Sequence, residues 1–276
     1  EKFRGNLNRR MAGMKIKAIF MDMDGTLLRS DHTMSDKLKE KLIELDKNGI
    51  KIFISTGRMY AATLPYLKQL GITTPVITYN GGKIVDPSTS ETLYENPVTA
   101  ETVKRVIEVS RETGIHLNLY SDDKLYVENE TPEGKAYAEK TGLKYITVNF
   151  DEFIGKTSTK ALFLGENEKL VKLKDELERE LPQSIFVFSQ PTYLEVLNRG
   201  VSKGKAVKEL MNKYEFSEDE VMIFGDQWND FDMLKLVKYG YLMGNASEDL
   251  KKEFTEDRIT LSNDDEGIYH IIKDIL

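Results

Sequence analysis

Two carboxylates one residue apart stand in the run Asp22-Met23-Asp24-Gly25-Thr26, directly after the apolar stretch Ile16 to Met21. Side chains of an extended backbone alternate, so a spacing of two points both carboxylates to one side, where they can share a site. Close carboxylates whose surroundings separate their pKa values can divide the work of group transfer: one stays ionised as a nucleophile while the other holds a proton for the leaving group. Gly25 allows the sharp turn such a site needs. Taken alone, an Asp-x-Asp reads equally well as a solvated turn.

The same position recurs twice. Ile50 to Ile54 ends in Ser55-Thr56-Gly57-Arg58, and Val221 to Phe224 ends in Gly225-Asp226-Gln227-Trp228-Asn229-Asp230. Thr56 as a helix N-cap, or Asp226 and Asp230 as a capped turn, would each be ordinary. Three apolar strands that end in small, hydroxyl or acidic residues are better explained by one shared site for an anion and a metal, beyond the carboxyl ends of parallel strands. Magnesium takes oxygen ligands in an octahedron and keeps several waters, so Asp22 and Asp226 are the expected side-chain ligands, with a backbone carbonyl and a substrate phosphate beside them. Val201-Ser202-Lys203-Gly204-Lys205 offers positive charge for that phosphate at a helix start, although most lysines are surface residues.

These residues need a frame of alternating strands and helices. Leu38, Leu42 and Leu45 lie at helical spacing between an N-cap at Ser35 and Gly49, and Pro75 to Thr78 reads as a third strand after a helical stretch to Leu70. Strands alternating with helices imply βαβ units and a parallel sheet. The middle of the chain differs. Lys83 to Val98 and Leu117 to Glu128 read as short strands and turns, followed by a strand at Lys160 to Leu164, a charged helix Glu166 to Glu180, and strands at Ile185 to Phe188 and Tyr193 to Leu197. The α/β rhythm resumes with a helix from Lys203 to Tyr214, the strand at Val221, a helix after Asp230, a strand Gly240 to Met243 and a last strand Arg258 to Leu261. The expected fold class is therefore α/β: a parallel-sheet core from 14–83 and 199–276, an inserted α+β domain at 84–198, and a leader at 1–13 outside the fold.

A length of 276 residues suits two domains, and 40% apolar with 31% charged residues is an ordinary globular balance. The formal net charge of −7 argues against nucleic acid as a partner. With no cysteine, disulfides, thiolate metal sites and cysteine nucleophiles are excluded, a composition that suits a reducing cytoplasm. No window approaches the roughly 18 apolar residues of a membrane helix, and no apolar stretch near the N-terminus suits a signal peptide. A cytoplasmic protein acting on a small phosphorylated molecule, with neither membrane nor nucleic-acid partner, is the expectation; oligomeric state is not legible.

Asp22 to Thr26, Thr56, Lys203 and the run Gly225-Asp226…Asn229-Asp230 match in order the four motifs of the haloacid dehalogenase (HAD) superfamily. With the large insert between Arg58 and Gly200, residues 14 to 276 resemble its Cof-type phosphatases with a type II (IIB) cap. The resemblance implies a Rossmannoid core, Mg2+ as cofactor, and hydrolysis of phosphorylated sugars, sugar alcohols or related metabolites through a phospho-aspartate. It implies Asp22 as nucleophile and metal ligand, Asp24 as acid/base and as metal ligand through its backbone carbonyl, and Asp226 as metal ligand. It further implies Thr26, Thr56, Gly57, Lys203 and Asn229 as phosphate binders, supported by Asp230, Arg58 and Asn80. Asn80-Gly81-Gly82 and Gly244-Asn245 resemble loops bordering the site in that family. Ser55 stands where Ala is frequent, and Trp228, bulky for its loop, is expected to pack against the core rather than narrow the pocket. His32, His116 and His270 receive no role, and Asp264-Asp265-Glu266 reads as a solvated turn.

Two rival functions remain in view. A sugar phosphomutase or phosphotransferase would use the same nucleophile but pass the phosphoryl group to a second hydroxyl, so turnover without an acceptor distinguishes the hydrolase. A non-catalytic binding protein would show no magnesium-dependent turnover of an aryl phosphate. A P-loop is excluded because Gly200 to Ala206 is one residue short and lacks the Ser/Thr.

Overall fold

The computed structural model describes residues 15–276; the leader expected at 1–13 lies outside them. β1 (Ala18–Met21) is buried throughout and runs straight into Asp22. Ser35 caps α1 (Asp36–Lys47) by accepting the Leu38 amide at 3.1 Å, and Leu38, Leu42 and Leu45 form the helix's buried face. β2 (Lys51–Ile54), α2 (Leu64–Leu70), β3 (Val76–Thr78), β4 (Lys83–Val85) and β5 (Thr92–Glu95) follow. Next come α3 (Ala100–Thr113), β6 (His116–Ser121), β7 (Lys124–Val127), α4 (Pro132–Thr141), β8 (Tyr145–Thr147), β9 (Lys160–Leu164), α5 (Asn167–Glu180), β10 (Ser184–Gln190) and β11 (Tyr193–Asn198). α6 (Lys203–Lys213), β12 (Val221–Gly225), α7 (Phe231–Lys235), β13 (Tyr239–Leu242), α8 (Glu248–Lys251) and α9 (Gly267–Ile272) complete the order.

The chain divides into two compact units: one holds the chain up to Arg58, Thr63–Leu93 and Ser202–Leu276, the other Met59–Ala62 and Tyr94–Val201. The boundary expected at residue 83 falls ten residues later because β4 does not open the insert; it pairs antiparallel with β3, Val76 facing Val85. The short segment 59–62 goes with the second unit because the Tyr60 and Ala61 amides donate to the Asp123 carboxylate at 2.8 and 2.7 Å.

In the first unit four parallel strands lie in the order β13-β12-β1-β2, with Ala18 level with Val221 on one side and Lys51 on the other. Strands buried on both faces explain the unbroken apolar runs in the sequence. Phe20 and Phe53 stack at 4.4 Å inside a core that also holds Ile223, Val207, Leu210, Leu234 and Leu242. Two expectations change here. β3 touches the parallel sheet only through one bridge, Ser55 to Ile77, and its ladder lies in a separate sheet β3-β4-β5. The strand expected at Arg258 to Leu261 reduces to one bridge between Leu242 and Ile259. Residues Glu256–Arg258 form a helical turn, and the Arg258 guanidinium donates to the carbonyls of Gly240 at 2.8 Å and Leu234 at 2.6 Å.

The second unit is a six-stranded sheet, β10-β11-β9-β6-β7-β8, antiparallel except between β7 and β8. Leu117, Leu119, Ala161, Phe163, Leu194 and Val196 pack with α3 and α5 on one face. The other face carries polar groups: Lys160 Nζ lies 3.5 Å from a Glu195 oxygen and 4.8 Å from the Tyr120 ring centre. α4 sits on this face over His116, whose Nε2 pairs with Asn118 Oδ1 at 2.8 Å and whose Nδ1 pairs with the α4 cap Thr131 Oγ1 at 2.7 Å. A Cβ at Gly134 would lie 2.4 Å from His116 Cε1, so only glycine lets the helix approach so closely. Among the described residues no helix is long and apolar enough to cross a membrane.

Candidate active site

β1 ends at Met21, and the Asp22 amide donates across to Phe224 O at 3.1 Å, which fixes Asp22 at the carboxyl end of the sheet's middle strands. The chain then coils back, with the Leu27 amide donating to Asp22 O at 3.2 Å and the Leu28 amide to Met23 O at 2.9 Å. Gly25 takes φ 78°, and a Cβ there would lie 2.2 Å from Asp226 Oδ2. Any other residue would displace that carboxylate.

Lys203, the first residue of α6, is 1% exposed and donates from Nζ to Asp22 Oδ1 and to Asp230 Oδ1, each at 2.7 Å. The other Asp230 oxygen accepts the amides of Asp226 at 2.9 Å and Gln227 at 3.1 Å, so one side chain orders both the lysine and the loop after β12. Thr26 Oγ1 donates to Asp226 Oδ1 at 2.9 Å. Expected as a phosphate binder, the Thr26 hydroxyl thus spends its proton on a carboxylate. Gln227, which the sequence reading passed over, donates to Asp226 Oδ2 at 3.2 Å.

Burial, reinforced by the negative charge of Asp230, pushes the Asp22 carboxyl well above its ordinary pKa, and the same two causes push Asp226 up to about 6. Burial opposes the charge on Lys203, but Asp22 and Asp230 outweigh it and raise the lysine's pKa. Asp22, Asp226 and Asp230 each present one oxygen, all within 4.8 Å of one another. When ionised, three carboxylates against the single Lys203 ammonium leave two negative charges in a buried all-oxygen cluster. That donor set and charge fit a hard divalent cation, which would also reverse the upward pKa shifts.

Asp24 departs from the geometry that its spacing suggested. The strand stops at Met21, and the two carboxylates have different partners, Lys203 for Asp22 and Arg58 for Asp24. Asp24 is 46% exposed and gripped by Arg58, with Nε to Oδ2 at 2.7 Å and Nη2 to Oδ1 at 2.5 Å. His32, given no role from sequence, places Nδ1 at 3.4 Å from Asp24 Oδ1. Partial burial alone would raise the Asp24 pKa, but the hydrogen bond and charge of Arg58 outweigh it and hold the carboxyl below the usual range.

Thr56 is buried, and its Oγ1 accepts the Arg58 amide at 3.1 Å, which closes a tight turn rather than capping a helix. Gly57 lies against Asn80: a Cβ would stand 2.9 Å from Asn80 Oδ1, an oxygen that already accepts from Asn229 Nδ2 at 2.9 Å. Thr56, Gly57, Asn80 and Asn229 are therefore brought together. Asn245 Nδ2 donates to Gly25 O at 2.9 Å. Trp228 does not pack into the core; it is 53% exposed, with its ring 5.8 Å from that of Phe231.

Residues 19–272 match the model of the haloacid dehalogenase-like hydrolases. The chain is 31% identical over 252 residues to an HMP-PP phosphatase of Yersinia pseudotuberculosis, an alignment covering 91% of this chain and 92% of the relative. A crystal structure of a haloacid dehalogenase-like hydrolase from Bacteroides thetaiotaomicron superposes with TM-score 0.87 and 30% identity, covering 95% of this chain and all of that one. A HAD subclass IIB sugar phosphatase superposes with TM-score 0.79 and 27% identity, covering 93% and 98% of the two chains. A parallel core closed by strands from both sides of an α+β insert, with its acidic residues gathered at the strand ends, is thus found together with family-wide sequence similarity: the chain belongs to the haloacid dehalogenase-like hydrolases.

Proposed function

We propose that the protein is a magnesium-dependent phosphohydrolase of small phosphorylated metabolites, sugar phosphates or related compounds, working through a phospho-aspartate on Asp22. The observation that carries the reading is the lysine bond to Asp22: with Lys203 Nζ on Oδ1 at 2.7 Å, the carboxylate is fixed in rotation at the end of the sheet and its charge is partly offset toward an incoming phosphate. Asp22 attacks phosphorus, forming an O–P bond as the P–O bond to the ester oxygen breaks, and that oxygen takes its proton from the Asp24 carboxyl, which is left ionised. Water then attacks the phospho-aspartate, its proton passes to Asp24, and phosphate and free Asp22 result. Arg58 keeps Asp24 ionised, the form that receives that proton. Thr56, Gly57, Lys203 and Asn229 hold the phosphoryl oxygens, with Asp230 and Asn80 behind them. Asp22, Asp226 and the Asp24 carbonyl would hold Mg2+, which would supply charge neutralisation for the attack of one anion on another. The names of the relatives, HMP-PP phosphatase and sugar phosphatase, support the substrate class. The second unit reads the organic group, since the residues above grip only the phosphoryl group common to all substrates.

The test is turnover of p-nitrophenyl phosphate with magnesium and with excess chelator, together with mass spectrometry of acid-quenched enzyme. Magnesium-dependent turnover, one phosphoryl group on the peptide containing Asp22, and its loss in Asp22→Asn are expected. Undiminished turnover in chelator, or rapid turnover by Asp22→Asn, would sink the proposal.

A further inference from the structure

The link between β3 and β4 holds three successive residues at positive φ: Tyr79 at 50°, Asn80 at 57° and Gly81 at 94°. Glycine adopts this region freely and asparagine tolerates it, but a tyrosine rarely does. Thr78 faces Lys83 in the ladder, so four residues connect the two strands, and links of that length are ordinarily built around a type I turn without such a run. Joining β3 to β4 does not account for the conformation. Backbone held in a sparsely populated region persists where surrounding structure over-determines it, and such residues cluster at functional sites. Tyr79 is fully buried, which anchors the run at its first residue.

The contacts of this link reach three separate segments of the proposed phosphate site. The Tyr79 amide donates to Arg58 O and the Asn80 amide to Thr56 O, both at 3.0 Å, which pins the turn holding Thr56 and Gly57. At Gly81 a Cβ would lie 2.2 Å from Ser202 O and 3.1 Å from the Lys203 nitrogen, so the bare backbone lies directly against the start of α6. Asn80 Oδ1 accepts from Asn229 Nδ2 at 2.9 Å in the loop after β12, and Gly57 is pressed on that same oxygen.

We infer that Asn80 is a positioning residue: its side-chain oxygen, presented by the strained link, sets the Asn229 amide at a fixed angle and distance from the Thr56–Gly57 turn, so that both meet the same phosphoryl group. The inference rests on the phosphohydrolase reading. Asn80 itself does not touch the reacting atoms; it acts through Asn229.

A structural role and a positioning role separate in a cycle read by inorganic phosphate as a competitive inhibitor of p-nitrophenyl phosphate turnover. Asn80→Gly keeps the positive φ without penalty and removes the oxygen, whereas Asn80→Asp keeps both the left-handed preference and an acceptor for Asn229 Nδ2. Asn229→Ala is expected to raise the inhibition constant of phosphate roughly tenfold in the parent, the scale of one hydrogen bond to a charged group. It should cost the same factor in the Asn80→Asp background and less than twofold in the Asn80→Gly background, because there Asn229 is already adrift. Melting temperatures of the Asn80 variants should stay near that of the parent. An equal cost of Asn229→Ala in all three backgrounds, with the parent turning over normally, would overturn this inference alone. A parent without magnesium-dependent turnover would overturn the phosphohydrolase reading and this inference with it.

Discussion

Arg58 grips Asp24 along one edge of its guanidinium, Nε and Nη2 each meeting one carboxylate oxygen, and that grip decides the proton on the proposed acid/base. An alkyl phosphate needs a protonated Asp24 to release its alkoxide, so its turnover should fall as pH rises through the Asp24 pKa; p-nitrophenyl phosphate leaves without such help. Arg58 holds that pKa low against burial. Arg58→Met leaves burial opposed only by the charges of His32 and Lys203, the pKa rises, and the alkaline limb of kcat/KM for an alkyl phosphate should move to higher pH while the limb for the aryl phosphate stays. A limb that does not move, or moves down, counts against Asp24 as the acid. Asp24→Asn should give a burst with the aryl phosphate followed by turnover slowed about 10²–10⁴-fold, seen by rapid quench. At this scale much was legible: the order of Asp22, Lys203, Asp226 and Asp230 along the chain sufficed to anticipate their gathering. The partner of Asp24 was not, because the strand ends one residue before Asp22 and element ends are only weakly encoded. Nothing near His32 in the sequence marked its approach to Asp24.

Among the elements, α4 is held by little apolar surface; only Gly134 and Tyr137 are buried in it. That explains why no periodic stripe announced it, whereas α3, with Val103, Val106 and Ile107 buried between Thr99 and Gly114, carried a pattern that the sequence reading left unassigned. α4 depends instead on His116 and Thr131. The Gly134 amide donates to Thr131 Oγ1 at 3.1 Å; with the His116 Nε2 proton facing Asn118 Oδ1, the Thr131 hydroxyl can donate to Nδ1 of the neutral ring. Burial lowers the His116 pKa, only partly offset by Asn118 and the charge of Glu133. The opened state titrates near the ordinary value of about 6.5 and binds protons first as pH falls. The stability that His116 lends α4 is therefore complete above about pH 6.5, declines as pH drops from there toward the folded pKa, and levels off below it. Hydrogen exchange of α4 amides, corrected for intrinsic rates, should show opening become easier between pH 7.5 and 5. His116→Asn should remove that slope, and a slope unchanged in the variant would reject the account.

For the whole molecule, the apolar core of the second unit runs from Val98 to Val196 without a contribution from outside residues 94–201. A domain with its own core can fold alone. Residues 94–201 expressed by themselves should give a dispersed NMR spectrum and a cooperative thermal transition; a collapsed, non-cooperative product would show that the unit needs the rest of the chain. The change from apolar runs to mixed strands made the insert visible in the sequence, but its edges were displaced. β5 is exposed at every position while β4 is buried, and strand composition does not reveal which neighbour a strand will pair with.

The insert also dictates an order of events on the ribosome. Ala18 and Lys51 can meet early, but Ala18 and Val221 pair across the entire second unit, and the bond from Thr26 to Asp226 closes a separation of 200 residues. Contacts of that span form late, after nearer ones have cheapened the closure. A nascent chain stalled between residue 201 and β12 therefore carries a complete second unit and a β1 whose edge toward β12 is bare, an apolar strand open to wrong partners. The acidic cluster of Asp22, Asp226 and Asp230 likewise comes together only after residues 226–230 have been made, so a chain stopped short of them lacks the proposed cation site.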